Sequence, residues 1–299
     1  MTTPHAEFDV WVRAQLAAVE DRLGLWVPAD APAGLGQAMR YGVLDGGKRL
    51  RPLLALAAAH AAGGSHQAAL RAACAVELIH VYSLVHDDMP CMDNDVLRRG
   101  KPTVHVQFGQ AQAMLAGDAM QALAFEVLTP DSDADMPPVL QARLCALLSR
   151  AAGCAGMAGG QAIDLASVGQ PLDERTLRDM HHRKTGALLC ASVIMGAACG
   201  DIDARARDAL AVYGDAIGLA FQVIDDVLDV TQDSGVLGKT AGKDMDANKP
   251  TYVSLMGLEA AKRHAVELRD RAHAALAQSG LADTVWLGRL ADKVVERDS

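Results

Sequence analysis

The 299-residue sequence is poor in aromatic residues, which make up 4% of the chain, and its six cysteines form no CxxC pair. Isolated cysteines do not predict a zinc site or a thiol–disulfide redox motif. The first residues lack a basic segment followed by an apolar core, so they do not predict a secretory signal. No apolar run reaches about 18 residues, so no membrane-spanning helix is expected. These absences favour a reducing, cytoplasmic setting in which the cysteines pack in the core.

The charge balance is acidic, with 37 Asp and Glu against 28 Lys and Arg and a net charge of −9. A chain of this charge repels nucleic acid and anionic membranes on average, so neither is expected as a partner. A single basic cluster is most often a solvated helix face, but several clusters in an acidic chain indicate discrete anion-binding pockets. The clusters are Lys48-Arg49-Arg51, Arg98-Arg99-Lys101, Arg183-Lys184 and Lys239-Lys243-Lys249.

Alanine and leucine dominate the composition, and apolar residues recur at helical spacing over most of the chain. No segment alternates as a half-buried strand does. The prediction is one all-α domain over residues 1–299, with a peripheral N-terminal segment, residues 1–30. The proline-rich segment 130–138 is expected to be a long surface loop. The predicted helices are residues 53–62, 68–86, 110–128, 139–152, 176–199, 204–228 and 259–276.

Three aspartates, Asp225, Asp226 and Asp229, end the predicted helix 204–228. Asp225 and Asp229 are four residues apart, so their carboxylates share one helix face. Carboxylates that close repel each other unless a cation lies between them. Magnesium is usually held by one or two carboxylates together with substrate phosphates, which makes this cluster a candidate magnesium site. Alone the pattern is weak, because solvated acidic helix ends are commoner.

An earlier acidic cluster places four aspartates within residues 87–95, directly after the apolar helical run 72–85. Pro90 disfavours a continued helix, so Asp93 is expected on a loop that folds it back towards Asp87. The helix dipole prefers cations at a C-terminus, so two acidic clusters that end helices carry an energetic cost. Metal binding would explain that cost.

Basic residues follow the first cluster at once, as Arg98, Arg99 and Lys101, and a second basic unit occupies residues 46–51. Surface ion pairs contribute only about 0–1 kcal/mol each, so stability alone gives little reason for this grouping. A metal–diphosphate complex needs carboxylates for the metal and cations for the phosphate oxygens. The combined pattern therefore predicts a diphosphate-binding site.

Together these motifs resemble those of the trans-prenyl diphosphate synthase family. Residues 79–88, Asp93 and residues 98–100 are similar to its first aspartate-rich motif, and residues 221–229 to its second. The likeness covers residues 35–299, and it is greatest to the bacterial farnesyl diphosphate synthases. The other segments that fall in the family's order and spacing are 47–51, 160–164, 184–186, 242–244 and 248–252.

The resemblance implies an all-α fold with helices around a deep cavity, a homodimer, three magnesium ions and prenyl diphosphate substrates. The implied principal magnesium ligands are Asp87, Asp93 and Asp225, and the supporting acids are Asp88, Asp226 and Asp229. Catalysis would depend on Asp87, Asp93, Asp225, Lys184 and Arg98. The implied contacts to the allylic diphosphate are Arg98, Lys184 and Lys239. Those to isopentenyl diphosphate are Lys48, Arg51, His80 and Arg99. The residues facing the reacting carbons would be Thr185 and Gln222.

Product length is a question of geometry. Ser83 and Tyr82 precede Asp87 by four and five residues, which places them about 6–7.5 Å below the metal ligands along the helix. Tyr82 is interpreted as a floor under the growing prenyl chain, with space beside it at Ser83; a packed structural tyrosine is the alternative. The resemblance associates this aromatic residue and the insertion Pro90-Cys91 with a C15 product, farnesyl diphosphate.

Other functions fit the sequence less well. A geranylgeranyl or geranyl diphosphate synthase differs from the C15 hypothesis only in product length. A terpene cyclase needs no second diphosphate pocket such as residues 46–51, and a non-catalytic partner subunit should have lost acids or arginines. Residues 238–240 resemble the end of a P-loop, but Asp233 replaces the required glycine and no strand precedes it, so a P-loop NTPase is not expected.

Overall fold

The computed structural model describes residues 4–44, 46–169, 172–231 and 251–296. Its secondary structure is almost entirely helical, which confirms the all-α prediction. The first half contains α1 (Pro4–Trp26), a 3-10 turn (Pro32–Gly34), α2 (Leu35–Val43), α3 (Leu50–Ala61), α4 (His66–Asp87), α5 (Val104–Phe108) and α6 (Gln110–Leu128). The second half contains α7 (Pro138–Ala152), α8 (Met157–Ala166), α9 (Glu174–His181), a π-helical turn (His182–Gly186), α10 (Ala187–Ala197), α11 (Ala204–Thr231), α12 (Tyr252–Met256), α13 (Leu258–Ser279) and α14 (Val285–Val295).

All seven predicted helices are present, with ends that move by a few residues. The segment predicted as one helix over 176–199 is α9 and α10 joined by the π-helical turn 182–186. The sequence pattern missed the other helices. It also missed a hairpin in which β1 (Leu97–Arg98) pairs antiparallel with β2 (Lys101–Pro102). Two residues per strand are too few to produce a readable alternation.

Two hydrophobic clusters form the core. One surrounds α4 and α6, and the other surrounds α11 and α13. Helices α3 and α10 contribute buried residues to both clusters, so they lie between α4 and α11. They approach each other closely at Gly196, where a Cβ atom would lie 2.0 Å from the carbonyl oxygen of Ala55. This packing holds apart the two long helices that carry the aspartate clusters.

Helix α1 falls within the segment that we expect to be peripheral. It contributes the buried side chains of Phe8, Val19 and Leu23 to the two clusters. Residues 129–137 connect α6 to α7 without a helix of their own, at the position of the predicted surface loop.

Helix α4 is also, by length and composition, apolar enough to cross a membrane. Of its most apolar window, however, 72% is buried inside the fold. That burial is expected of a helix at the centre of a core, and no other helix among the described residues meets the same criteria.

Candidate active site

The first aspartate cluster folds back onto the end of α4, as the sequence predicted. The helix ends at Asp87, and the backbone N–H of Asp93 donates to the carbonyl of Asp87 at 2.8 Å. The N–H of Asp95 donates in the same way to Asp88 at 3.1 Å. Asn94 adopts a left-handed conformation with φ 52° that reverses the chain. The loop with Pro90 therefore returns the late aspartate to the helix end.

Asp88 holds the basic segment against this helix. Its carboxylate is 2% exposed and accepts from Arg98 Nε at 3.0 and 2.9 Å and from Arg98 Nη2 at 2.6 Å. Bidentate pairs of this kind fix orientation as well as distance. The hairpin reverses at Arg99 and Gly100, both with positive φ. Arg98 thus has a defined place beside the aspartates.

The pKa of Asp87 depends on its burial and on several charged residues of the site. Burial raises the pKa of its carboxyl to about 6; Lys184 opposes this shift and Asp93 reinforces it. Lys184 lies almost a hundred residues away in sequence, yet it acts on both Asp87 and Asp93. The π-helical turn therefore faces the first aspartate cluster.

Asp164 positions Lys184, a role that the sequence did not predict. Lys184 Nζ donates to Asp164 Oδ2 at 2.6 Å, and Asp164 is buried. A Cβ atom on Gly160 would lie 2.2 Å from the backbone nitrogen of Lys184, so only glycine permits the contact between α8 and the turn. The motif 160–164 was visible in the sequence, but the partner of its aspartate was not. π-Helical turns occur often at functional sites.

The second aspartate cluster occupies the last two turns of α11. Asp226 is 3% exposed and accepts from Gln222 Nε2 at 3.0 Å and from the backbone N–H of Tyr252 at 2.8 Å. Gln222 Oε1 in turn accepts from Thr185 Oγ1 at 3.3 Å. Thr185 follows Lys184 in the π-helical turn. The π-helical turn therefore links the two aspartate clusters, through electrostatic interaction of Lys184 with the first and hydrogen bonds from Thr185 through Gln222 to the second.

The second predicted cationic group consists of Lys48, Arg51 and Arg99 with the neighbouring His80, and these residues also lie near one another. Arg99 Nη1 donates to the carbonyl of Gly46 at 2.5 Å. The same guanidinium covers Gly47, where a Cβ atom would lie 2.7 Å from Nη2 and where φ is 125°. Burial lowers the pKa of His80 well below its ordinary value, and Arg51 and Arg99 lower it further. His80 is therefore a neutral side chain among cations. Lys48 is exposed at the rim of this loop.

Arg49 differs from its neighbours Lys48 and Arg51, although the sequence placed all three in one anion-binding cluster. It is 3% exposed and has a left-handed backbone with φ 43°. Its guanidinium donates to Glu20 at 2.7 Å, to Glu77 at 2.6 Å and to the carbonyl of Val43. Arg49 is an internal anchor of the loop.

Tyr82 belongs to α4 and contacts His86, which in turn lies against α6. Its ring meets the ring of His86 edge-on, with centroids 5.7 Å apart. His86 Nε2 lies 3.0 Å from the carbonyl oxygen of Met114 in α6. A Cβ atom on Gly117 would lie 2.0 Å from the same nitrogen, so the imidazole rests directly on the α6 backbone. Ser83 Oγ donates to the carbonyl of His80 at 2.8 Å.

The aspartates present a donor set that suits magnesium only in part. In the segments that the structure describes, no three acidic, histidine or cysteine side chains converge closely enough to hold a metal ion. Magnesium does not require three, because it commonly takes one or two carboxylates and completes its shell with phosphate oxygens and water. The all-oxygen donors on either side of the Lys184 turn fit that pattern. Lys239 lies outside the described residues.

The chain is similar to known prenyl diphosphate synthases over most of its length. The sequence model of the polyprenyl synthetase family matches residues 32–281. Farnesyl diphosphate synthase of Escherichia coli (strain K12) is 48% identical over 268 residues, which cover 88% of this chain and 89% of the relative. Geranylgeranyl pyrophosphate synthase 11, chloroplastic, of Arabidopsis thaliana is 45% identical over 269 residues, covering 89% and 75%. The structure of a geranyltransferase from Helicobacter pylori, complexed with magnesium and isoprenyl diphosphate, has a TM-score of 0.82 at 34% identity, covering 99% of this chain and 97% of that one.

Proposed function

This chain belongs to the polyprenyl synthetase family of prenyltransferases, and we propose that it condenses isopentenyl diphosphate with dimethylallyl and then geranyl diphosphate to give farnesyl diphosphate. The observation that carries this proposal is the connection from Asp87 to Asp226 through the Lys184 turn: Lys184 acts electrostatically on Asp87, and hydrogen bonds link Thr185, Gln222 and Asp226. It joins two aspartate clusters across the fold. A distinct cationic group around His80 provides for the second substrate.

The allylic diphosphate is held where its negative charge grows during ionisation. Arg98 is oriented by Asp88 and Lys184 by Asp164, so both cations are already in place when the charge develops. Fixed charges of this kind stabilise a transition state without reorganisation. Asp87, Asp93 and Asp225 would hold magnesium, with Asp88, Asp226 and Asp229 in support. Magnesium supplies Lewis-acid stabilisation of the departing diphosphate. We propose that the site holds three magnesium ions, the number that the resemblance to the family implies.

Isopentenyl diphosphate occupies the second cationic group. Lys48, Arg51 and Arg99 bind its phosphate oxygens, and His80 contributes a neutral hydrogen-bonding ring. Thr185 and Gln222, which contact each other at 3.3 Å, lie between the two aspartate clusters and face the reacting carbons. The isopentenyl double bond attacks the allylic cation, and the resulting cation then loses a proton to the departed diphosphate. The site must exclude water during the reaction, because water would otherwise quench the cation.

The C15 product is proposed from Tyr82. Its ring is braced by His86 against α6, so it forms a firm floor one to two turns below Asp87. A geranylgeranyl diphosphate synthase is the second candidate, because relatives with that name are 45% identical to this chain. Chain length therefore depends on this one wall of the site.

We also propose that the protein forms a homodimer and is located in the cytoplasm. The outer faces of α5 and α6 expose Val106, Met114 and Leu115 at 48%, 40% and 53%. Adjacent exposed apolar side chains of this kind suit burial against a second copy. All six cysteines are unpaired thiols, which suits a reducing compartment.

The decisive experiment mixes the purified protein with magnesium, isopentenyl diphosphate and dimethylallyl diphosphate and measures product length by chromatography. A C15 product supports the proposal, and a C20 product replaces it with the second candidate. A cyclic hydrocarbon or no product would refute both. Asp87→Ala serves as the control for the site: it should abolish turnover while the helical circular-dichroism signal remains.

A further inference from the structure

A groove lies outside the site described above, where α9, α11 and α13 meet. Its volume is about 350 Å³. Asp215 of α11 lines it and precedes Asp225 by ten residues, so about 15 Å of helix separate the groove from the second aspartate cluster. Neither substrate pocket of the proposed reaction uses any of its lining residues.

The groove gathers basic side chains in a chain that is acidic overall. Arg175, Arg178 and His182 are spaced i, i+3 and i+7, so they share one face of α9 and its continuation, and Arg271 reaches in from α13. Among the described residues, none of these three arginines forms an ion pair or a side-chain hydrogen bond. Like charges on adjacent helix turns destabilise the helix. An anionic ligand would relieve that repulsion.

The two acidic residues that line the groove have other partners. Asp179 accepts from Arg183 Nε at 2.8 Å, and Arg183 is not a lining residue. Asp215 interacts with the thiol of Cys190. Within the described part of the chain, neither of these two carboxylates forms an ion pair with the three arginines.

The base of the groove is apolar. Ala216 and Leu268 are 1% and 4% exposed and lie beneath the charged rim, together with Leu219. A volume of this size is within the usual range for small-molecule sites, roughly 300–1,000 Å³.

We propose that this groove is a binding site for a phosphorylated small molecule, held by Arg175, Arg178 and Arg271. The guanidinium fork matches phosphate oxygens in geometry and charge. A ligand there ties α9 to α13, and α9 continues directly into the turn that carries Lys184. Occupancy should therefore change the KM for the allylic substrate. That kinetic consequence rests on the proposed function, whereas the binding does not.

Inorganic phosphate is the probe, and the imidazole of His182 is the reporter. The full-length protein is titrated with phosphate in the presence of EDTA, so that no metal–phosphate complex forms at the aspartates. Histidine ring resonances are followed by NMR, and the His182 signal is assigned by its loss in His182→Gln. The expected result is a saturable shift of the His182 resonance. In Arg175→Glu/Arg271→Glu the apparent affinity should fall by at least about tenfold.

The matched control is Arg13→Glu/Arg150→Glu, which makes the same change in net charge at two exposed positions away from the groove. It should bind phosphate like the unmodified protein. A missing His182 shift, or equal shifts in both double variants, would overturn the site. If the groove double variant does not fold, the single variant Arg271→Glu is held to the same criterion. If phosphate changes the KM for the allylic substrate equally in the groove variant and in the unmodified protein, the coupling to Lys184 is overturned.

Discussion

The guanidinium of Arg49 lies 2.6 Å from the carboxylate of Glu77, and the two side chains are 1% and 3% exposed. Glu20 of α1 lies 2.7 Å away on another side of the same guanidinium. Burial alone would lower the pKa of Arg49, but the two carboxylates outweigh it and hold the pKa above its ordinary value. One arginine therefore ties α1 and α4 to the loop that presents Lys48.

Removing one charge of this group should destabilise the fold. Breaking a buried ion pair costs about 3–5 kcal/mol, because the remaining charge has lost its partner. Glu20 still pairs with Arg49 in Glu77→Gln, so we expect a loss of about 2–4 kcal/mol in the free energy of unfolding, measured by urea denaturation. Glu126→Gln, at an exposed position of α6, is the control and should change little. Equal stability of the two variants would contradict the role of Arg49 as an anchor.

Asp164→Asn should impair the use of the allylic substrate without unfolding the protein. The variant keeps the shape of the side chain but removes the charge that orients Lys184 at 2.6 Å. Hydrogen bonds to charged groups contribute about 1.5–3 kcal/mol, which corresponds to roughly 10- to 100-fold in kcat/KM. Steady-state kinetics with varied allylic diphosphate measure this loss. Glu259→Gln, which breaks an exposed pair with Lys262, should leave the kinetics unchanged.

Tyr82→Ala should lengthen the product. The substitution removes the ring that His86 braces against α6, so the prenyl chain can grow past this point. Product chromatography should reveal C20 or longer chains at the expense of C15. Tyr82→Phe keeps the ring and should keep the product length. If Tyr82→Ala still makes C15 alone, the floor lies elsewhere.

Gly117→Ala tests the contact of His86 with α6, which supports Tyr82, rather than Tyr82 itself. A Cβ atom would lie 2.0 Å from His86 Nε2, so the imidazole must leave the α6 backbone and press on Tyr82. Overpacking of this kind costs about 1–3 kcal/mol, and the altered position of Tyr82 should shift the product distribution. Gly24→Ala in α1 has open space around its Cβ and should be neutral or slightly stabilising. Unchanged stability and products in Gly117→Ala would show that the brace is dispensable.

His181 should make the protein lose stability in acid. Burial is the main cause that lowers its pKa from 6.5 to about 4; Lys184 adds to this shift and Asp164 opposes it. Between these values the unfolded chain binds a proton that the folded chain does not, so stability falls as the pH drops from 6.5 towards 4. At pH 4.5 the loss is about 2 kcal/mol relative to pH 7.

The matched variant is His181→Phe, which retains a ring stacked on Tyr252 but cannot be protonated. Urea unfolding at pH 7 and pH 4.5 should reveal a smaller acid loss in this variant than in the unmodified protein. Other groups, including His80, contribute equally to both proteins, so the difference isolates His181. His66→Phe, at an exposed helix start, should retain the full loss. The same pH dependence in both variants would exclude His181 as the cause.

Local chemistry in the sequence predicted several features because neighbouring residues alone decide them. Apolar residues at helical spacing located α4, α6 and α11. Pro90 predicted that α4 would end before Asp93, and the loop then returned that aspartate to Asp87. The spacing of Asp225 and Asp229 placed them on one helix face. Each of these inferences depends on contacts within about ten residues of chain.

The tertiary structure decided which charged side chains are buried and which residues they contact. Arg49 and Lys48 are adjacent in sequence, yet one is buried between Glu20 and Glu77 and the other is exposed. Asp164 and Lys184 are separated by a turn and a helix, and only the packing of α8 against the π-helical turn brings them within 2.6 Å. Pairwise electrostatic energies depend on distance and burial, and a one-dimensional pattern specifies neither for residues far apart. The sequence alone therefore predicted the long apolar helices and the aspartate clusters, whereas the tertiary structure decided which of the described charged side chains are buried, which are exposed and which partners they contact.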